Sequence, residues 1–191
     1  RQRRDARGAR GVRRRGRRRA LVIRVVSLLL LLAFVAGAFV AATEPGWYLR
    51  ARYPLEYEHI VRGHARNYEL EPALVAAVIY QESKFDPAAR SASGAVGLMQ
   101  LLPDTARGIA LRTGGSQFRE QDLLDPEINV RYGCWYLRHL LTKYDGSLDD
   151  ALAAYNGGQG NVDRGIRYDE TREYVARVLR LRDVYRKAYR L

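Results

Sequence analysis

The chain has 191 residues and a mass of 21.8 kDa, room for one domain and little more. Hydrophobic residues make up 47% and charged residues 28%, a globular balance that excludes a disordered or collagen-like chain. The formal charge of +12 points to nucleic acid until it is located. Residues 1–24 hold twelve arginines against one acid, Asp5, so the rest of the chain is almost neutral. A single cysteine, Cys134, excludes an internal disulfide framework and a cysteine-rich zinc site.

In chain order, the arginine tail over 1–24 comes first. Val25–Thr43 follows, 19 residues without a charge. At about 1.5 Å rise per residue, such a helix nearly crosses a hydrocarbon core of about 30 Å. The arginine excess before it predicts a cytoplasmic tail and an extracytoplasmic remainder. A cleaved signal peptide shares the basic start, and Ala36-Gly37-Ala38 or Val40-Ala41-Ala42 would suit a peptidase. The longer apolar run favours the anchor. No nucleic-acid role is expected of the tail, which has no interleaved aromatics to stack bases.

Residues 44–54 read as a break and linker, with Trp47 and Tyr48 where an interfacial anchor would sit. From 55 to 191 the pattern is helical, with no sustained period-two alternation. Helices are predicted from Leu55 to Tyr68, from Pro72 to Lys84, from Pro103 to Gly114 and from Asp125-Pro126 onward. Others start at Ser147 and near Asp169. Pro72, Pro103 and Pro126 suit a first helical turn, and Asp125 and Ser147 suit an N-cap. Val130, Cys134, Leu137, Leu141 and Tyr144 make one buried stripe, with Cys134 in the core. His59, His64 and His139 show no metal-ligand spacing and read as surface or boundary residues.

Glu82 carries the chemistry. Leu74, Val78 and Glu82 lie at i, i+4 and i+8, so a carboxylate continues a buried apolar stripe. Desolvation and the negative end of the helix both disfavour its charged form. A carboxyl kept protonated near neutral pH suits a general acid. The alternative is an exposed Glu82, or one paired with Lys84 or Arg90. The small residues from Ser91 to Gly97 let backbone approach a ligand closely. Gln100 is a polar amide within an apolar run, fit either to bind a sugar or to bond a loop backbone. Tyr155-Asn156 repeats the pairing of ring and amide at a helix end. The alternative there is core packing by Tyr155 and capping by Asn156.

Four ordered blocks carry a family resemblance. They are Glu82-Ser83-x-Phe85-x-Pro87, Ser91-x-Ser93-Gly94-Ala95-x-Gly97-Leu98-Met99-Gln100 with Pro103-x-Thr105-Ala106, Ala153-Ala154-Tyr155-Asn156-Gly157-Gly158-x-Gly160-x-Val162, and Glu170-Thr171-Arg172-x-Tyr174-Val175. Over roughly residues 55–185 the chain resembles the soluble lytic transglycosylase (SLT) domains of glycoside hydrolase family 23. The resemblance implies a mainly α, lysozyme-like fold, here preceded by one transmembrane helix, and peptidoglycan glycan strands as the partner. It assigns the catalytic acid/base to Glu82. It places Ser91, Met99, Gln100, Tyr155, Asn156 and Glu170 at substrate-binding positions, although a glutamate at a helix N-terminus also has a dipole role. No metal or cofactor is implied.

Ordinary glycosidases use two carboxyl groups; the resemblance implies one. Glu82 would protonate the oxygen between N-acetylmuramic acid and N-acetylglucosamine, then take the proton from the muramic acid C6 hydroxyl as it closes a 1,6-anhydro ring. A muramidase that admits water, or a catalytically idle glycan-binding scaffold, is the alternative.

Overall fold

The computed structural model describes residues 2–115 and 117–191, with side chains described for Leu21 and from Ile23 onward. It divides into two compact units, one up to Tyr48 and one from Leu49 to Leu191. The first is a single helix, α1, Gln2–Thr43. Its stretch Ile23–Thr43 has a mean hydropathy of 2.7 and buries none of its side chains, so it is long and apolar enough to cross a membrane. The side chains of the basic tail lie mostly outside the described residues. Part of the stretch 44–54, expected as a linker, is helical: α2 covers Gly46–Arg52.

In the second unit every regular element among the described residues is a helix, as expected. These are α3 (Glu58–Asn67), α4 (Pro72–Ser83), α5 (Pro103–Arg112), a 3-10 turn (Glu120–Leu124), α6 (Pro126–Lys143), α7 (Leu148–Gly157), α8 (Gln159–Asp163) and α9 (Asp169–Tyr189). The starts read from sequence hold at α4, α5, α6 and α7. Asp125 accepts the Glu127 amide through its side chain, and Ser147 Oγ accepts from the Asp150 amide. α3 starts later than Leu55, because Tyr57 takes a left-handed conformation just before it. The 3-10 turn and α8, each of five residues, are too short to show a periodicity.

α4 is the central helix. Every residue from Ala73 to Ile79 is buried, so its sides all need partners, and α9 supplies the most extensive one. α9 lays Thr171, Tyr174, Val175, Val178 and Tyr185 inward. Tyr185 fills the base of the core between Tyr80, Phe85 and Tyr189, and its hydroxyl donates to the Pro54 carbonyl at 3.0 Å. Val130, Cys134 and Leu137 are buried as the stripe requires, with Leu141 and Tyr144 only part-buried.

One expectation is corrected. His64 is 7% exposed, neither surface nor boundary. Its position on the inner side of α3 puts Nε2 2.7 Å from Glu127 Oε1 and its ring in a stack with Tyr68. His59 and His139 are exposed.

Candidate active site

α4 ends in a left-handed turn at Lys84 and Phe85, with φ of 52° and 68°. Phe85 turns back into the core, and Glu82 sits half-buried in the last helical turn. The Tyr174 hydroxyl reaches it from α9 and donates to Oε1 at 2.6 Å. Burial pushes the Glu82 carboxyl up from 4.5 to about 7, against the opposing pull of the Tyr174 hydrogen bond. Tyr174 is in turn raised well above the usual phenol value by its own burial and by the Glu82 charge. Neither Lys84 nor Arg90 pairs with Glu82 among the described residues; Arg90 lies 3.4 Å from Glu120 instead.

The segment after α4 folds back as a tight loop. Gly94 and Gly97 adopt φ of 84° and 81°, and Val96 and Leu101 exchange both backbone hydrogen bonds at 3.0 and 3.1 Å. Three side chains then fix Leu98-Met99. Ser83 Oγ donates to the Leu98 carbonyl at 2.8 Å, and Asn129 Oδ1 accepts the Met99 amide at 2.8 Å. Tyr155 Oη donates to the Met99 carbonyl at 2.7 Å. Ser83 follows Glu82 directly, so the catalytic candidate and the loop share one anchor.

The residues singled out in the sequence fall as follows. Ser91 is exposed at the loop's outer turn, where its Oγ accepts the Ala95 amide at 3.0 Å and lies 2.8 Å from Ser93 Oγ. Met99 is fully buried, its sulfur packed so close to Gly133 that a methyl there would overlap it. Gln100 is half-buried with φ 46°. Its Nε2 donates to the Ala89 and Gly97 carbonyls, both at 3.0 Å. Both amide hydrogens are thus committed, and the side chain has its carbonyl oxygen left to offer. Tyr155 is half-buried against Tyr136, ring centroids 5.5 Å apart. Burial and the Glu82 charge raise its phenol well above the ordinary value. Asn156 and Glu170 are exposed. Their segments meet where Thr171 packs against Gly157, with no room for a Cβ on that glycine.

Two residues of the site went unread in the sequence. Tyr174 carries no role in the sequence beyond its place in the fourth block, and its bond to Glu82 spans 92 positions. Asn129 carries no motif or periodicity signal, because its partners Met99 and Val96 lie 30 and 33 positions away. Among the described residues no cluster of three or more metal-ligating side chains forms.

The transglycosylase SLT domain family matches residues 59–177. The soluble lytic murein transglycosylase of Salmonella typhimurium is 31% identical over 156 residues, covering 73% of this chain and 24% of that protein. The membrane-bound lytic murein transglycosylase C of Yersinia pestis is 35% identical over 126 residues, covering 61% of this chain and 35% of that one. The chain thus spans about a quarter of the soluble relative's length. Among solved structures, an inactive glutamate-to-glutamine mutant of lytic transglycosylase Slt from Pseudomonas aeruginosa superposes with a TM-score of 0.69 at 33% identity. It covers 74% of this chain and 26% of that one. With sequence and fold in agreement over most of the second unit, the chain belongs to the family of the transglycosylase SLT domain.

Proposed function

We propose that this protein is a peptidoglycan lytic transglycosylase, a lyase that cleaves the bond between N-acetylmuramic acid and N-acetylglucosamine and leaves 1,6-anhydro ends. The observation that carries the reading is the Glu82 carboxyl. Burial pushes it up to about 7, on a helix and beside a pinned glycine loop. A group poised there can give a proton and then take one back.

The steps balance on one residue. Protonated Glu82 gives its proton to the glycosidic oxygen, and the N-acetylglucosamine side leaves as an alcohol. The substrate's acetamido oxygen meets the positive charge growing at C1. Ionised Glu82 then accepts the C6 hydroxyl proton as that oxygen closes on C1. Attack from within the substrate gives the nucleophile a high effective concentration, so no water enters the product. The Tyr174 bond to Oε1 leaves Oε2 as the oxygen that carries the mobile proton. Tyr155 and the Gln100 carbonyl oxygen, with the exposed Ser91, Asn156 and Glu170, are assigned to holding the glycan. Met99 contributes by holding Tyr155, whose hydroxyl its carbonyl accepts. The inactive glutamate-to-glutamine mutant of the Pseudomonas relative supports a glutamate as the working group.

We assign residues 1–24 to a cytoplasmic tail, 25–43 to a membrane anchor, 44–54 to a connecting segment and 55–191 to an extracytoplasmic catalytic domain. The membrane-bound relative and the apolar stretch Ile23–Thr43 support the anchor. The activity is tested on purified peptidoglycan by mass spectrometry of the products. Muropeptides one water lighter than hydrolysis products are expected. Reducible, hydrated ends would make the protein a muramidase, and binding without cleavage would make it a scaffold. The anchor is tested by flotation of the full chain with liposomes after carbonate washing; recovery in the soluble fraction would contradict it.

A further inference from the structure

We infer that Asn129 is a positioning residue for the glycan-binding side of this site, acting through the Met99 backbone, whose amide it holds while Tyr155 holds the carbonyl. The inference rests on the reading of Glu82 as the working group of a glycan-cleaving enzyme.

Asn129 lies in the first turns of α6 and is fully buried. An amide of this kind is costly inside a protein unless its hydrogen bonds are met. Here they are met entirely by loop backbone. Nδ2 donates to the Val96 carbonyl at 2.9 Å and to the Leu123 carbonyl at 2.8 Å, and Oδ1 accepts the Met99 amide at 2.8 Å. One side chain thus ties the glycine loop and the 3-10 turn to the start of α6. The fit leaves no slack: a methyl on Gly97 would overlap both Asn129 Nδ2 and the Leu123 carbonyl.

The Met99 backbone links this clamp to the site. Its amide belongs to Asn129 and its carbonyl to the Tyr155 hydroxyl, while the preceding carbonyl, on Leu98, belongs to Ser83 beside Glu82. Gln100, next in the chain, is held at a φ of 46°, a left-handed conformation that a non-glycine residue keeps only when its surroundings impose it. Without Asn129, Met99 loses its amide partner, and Gln100 is left to its own bonds to the Ala89 and Gly97 carbonyls to keep its left-handed conformation. Tyr155 then bonds to a carbonyl that no longer has a fixed place. Glu82 keeps its own contact with Tyr174 throughout. The consequence falls on how the sugar is held, not on the proton transfer.

The test uses the full chain in detergent and a soluble glycan fragment of defined length, with KM and kcat measured separately across pH. Asn129→Ala is expected to raise KM about tenfold while the pH at which kcat halves stays that of the wild type. Tyr155→Phe should raise KM as well. The double variant should lose at least about threefold less than the product of the two single effects, because both act on the backbone of one residue. Val130→Ala, a buried neighbour in the same core cluster as Met99 without a hydrogen bond to the loop, serves as the packing control and should leave KM unchanged. Multiplicative effects of Asn129→Ala and Tyr155→Phe would overturn the inference. A KM shift equal to that of Val130→Ala, or a shifted pH profile, would do the same. If Asn129→Ala fails to fold, Asn129→Ser carries the same readouts. An inactive but folded wild type would remove the catalytic reading underneath. An active wild type with unmoved KM would remove this inference alone.

Discussion

The hydroxyl of Tyr174 donates to Oε1 of Glu82 at 2.6 Å, across the interface between the last long helix and the central one. That bond opposes burial. Burial raises the carboxyl, and the phenol stabilises its charged form and holds it to about 7. Helix α9 thereby joins the chemistry as well as the core.

Removing that bond gives the first prediction. In Tyr174→Phe the Glu82 carboxyl loses the one contact that favours its charge, so its pKa rises further. The alkaline limb of the pH–rate profile should move to higher pH, and the rate at acidic pH should change less than the rate at neutral pH. The substitution also leaves a half-buried acceptor unpaired, at a cost of about 1–3 kcal/mol in unfolding free energy. Rate profiles and denaturant titrations on the same preparations check both.

Glu82 also sets a pH dependence of stability. Between 4.5 and about 7 the folded protein retains a proton that the unfolded chain has released. Stability from this group therefore falls as pH rises through that window, and it is flat above it. The difference amounts to about 3 kcal/mol. Glu82→Gln removes the titration, so the variant should gain on the wild type between pH 5 and pH 8 by up to that amount. Urea unfolding at the two pH values measures it.

Gly133→Ala probes the packing beneath the site. The added methyl has nowhere to go but into the Met99 sulfur, from a rigid helix position. Overpacking of this kind costs about 1–3 kcal/mol. Because Met99 carries the loop, the rate should fall together with the melting temperature. Gly63→Ala meets open space on α3 and should leave both unchanged or slightly raise stability.

Cys134 offers a probe of opening. It is fully buried, and burial pushes its thiol far above the ordinary value. A thiol-specific reagent should be inert towards the folded protein and react at the rate of unfolding, accelerating with urea. Reaction at the rate of an exposed thiol without denaturant would place Cys134 outside the core.

The sequence was most legible where a local signal decides the structure. Pro72, Pro103, Asp125-Pro126 and Ser147 each open a helix because the first turn's unpaired amides favour those residues. Glu82 was legible because a charged residue at i+8 from Leu74 breaks the pattern of a core stripe. Partners distant in sequence were not. Tyr174 and Asn129 look like residues of ordinary helices until the chain folds, and then their hydroxyl and amide meet groups 92 and 30 positions away. His64 stayed hidden for the same reason: Glu127, which meets its Nε2, lies 63 positions on. Gln100 reads in the sequence as an amide fit either for a sugar or for a loop backbone, and its two amide hydrogens take the second course. Its commitment to two loop carbonyls depends on a left-handed backbone that no periodicity reveals.

The most direct test of the account compares wild type and Glu82→Gln on purified peptidoglycan, with products resolved by mass spectrometry. Glutamine keeps the shape and can still accept the Tyr174 hydroxyl, but it has no proton to give. The account predicts anhydro-muropeptides, one water lighter than hydrolysis products, from the wild type and none from a variant with intact fold. Undiminished anhydro products from Glu82→Gln would contradict it.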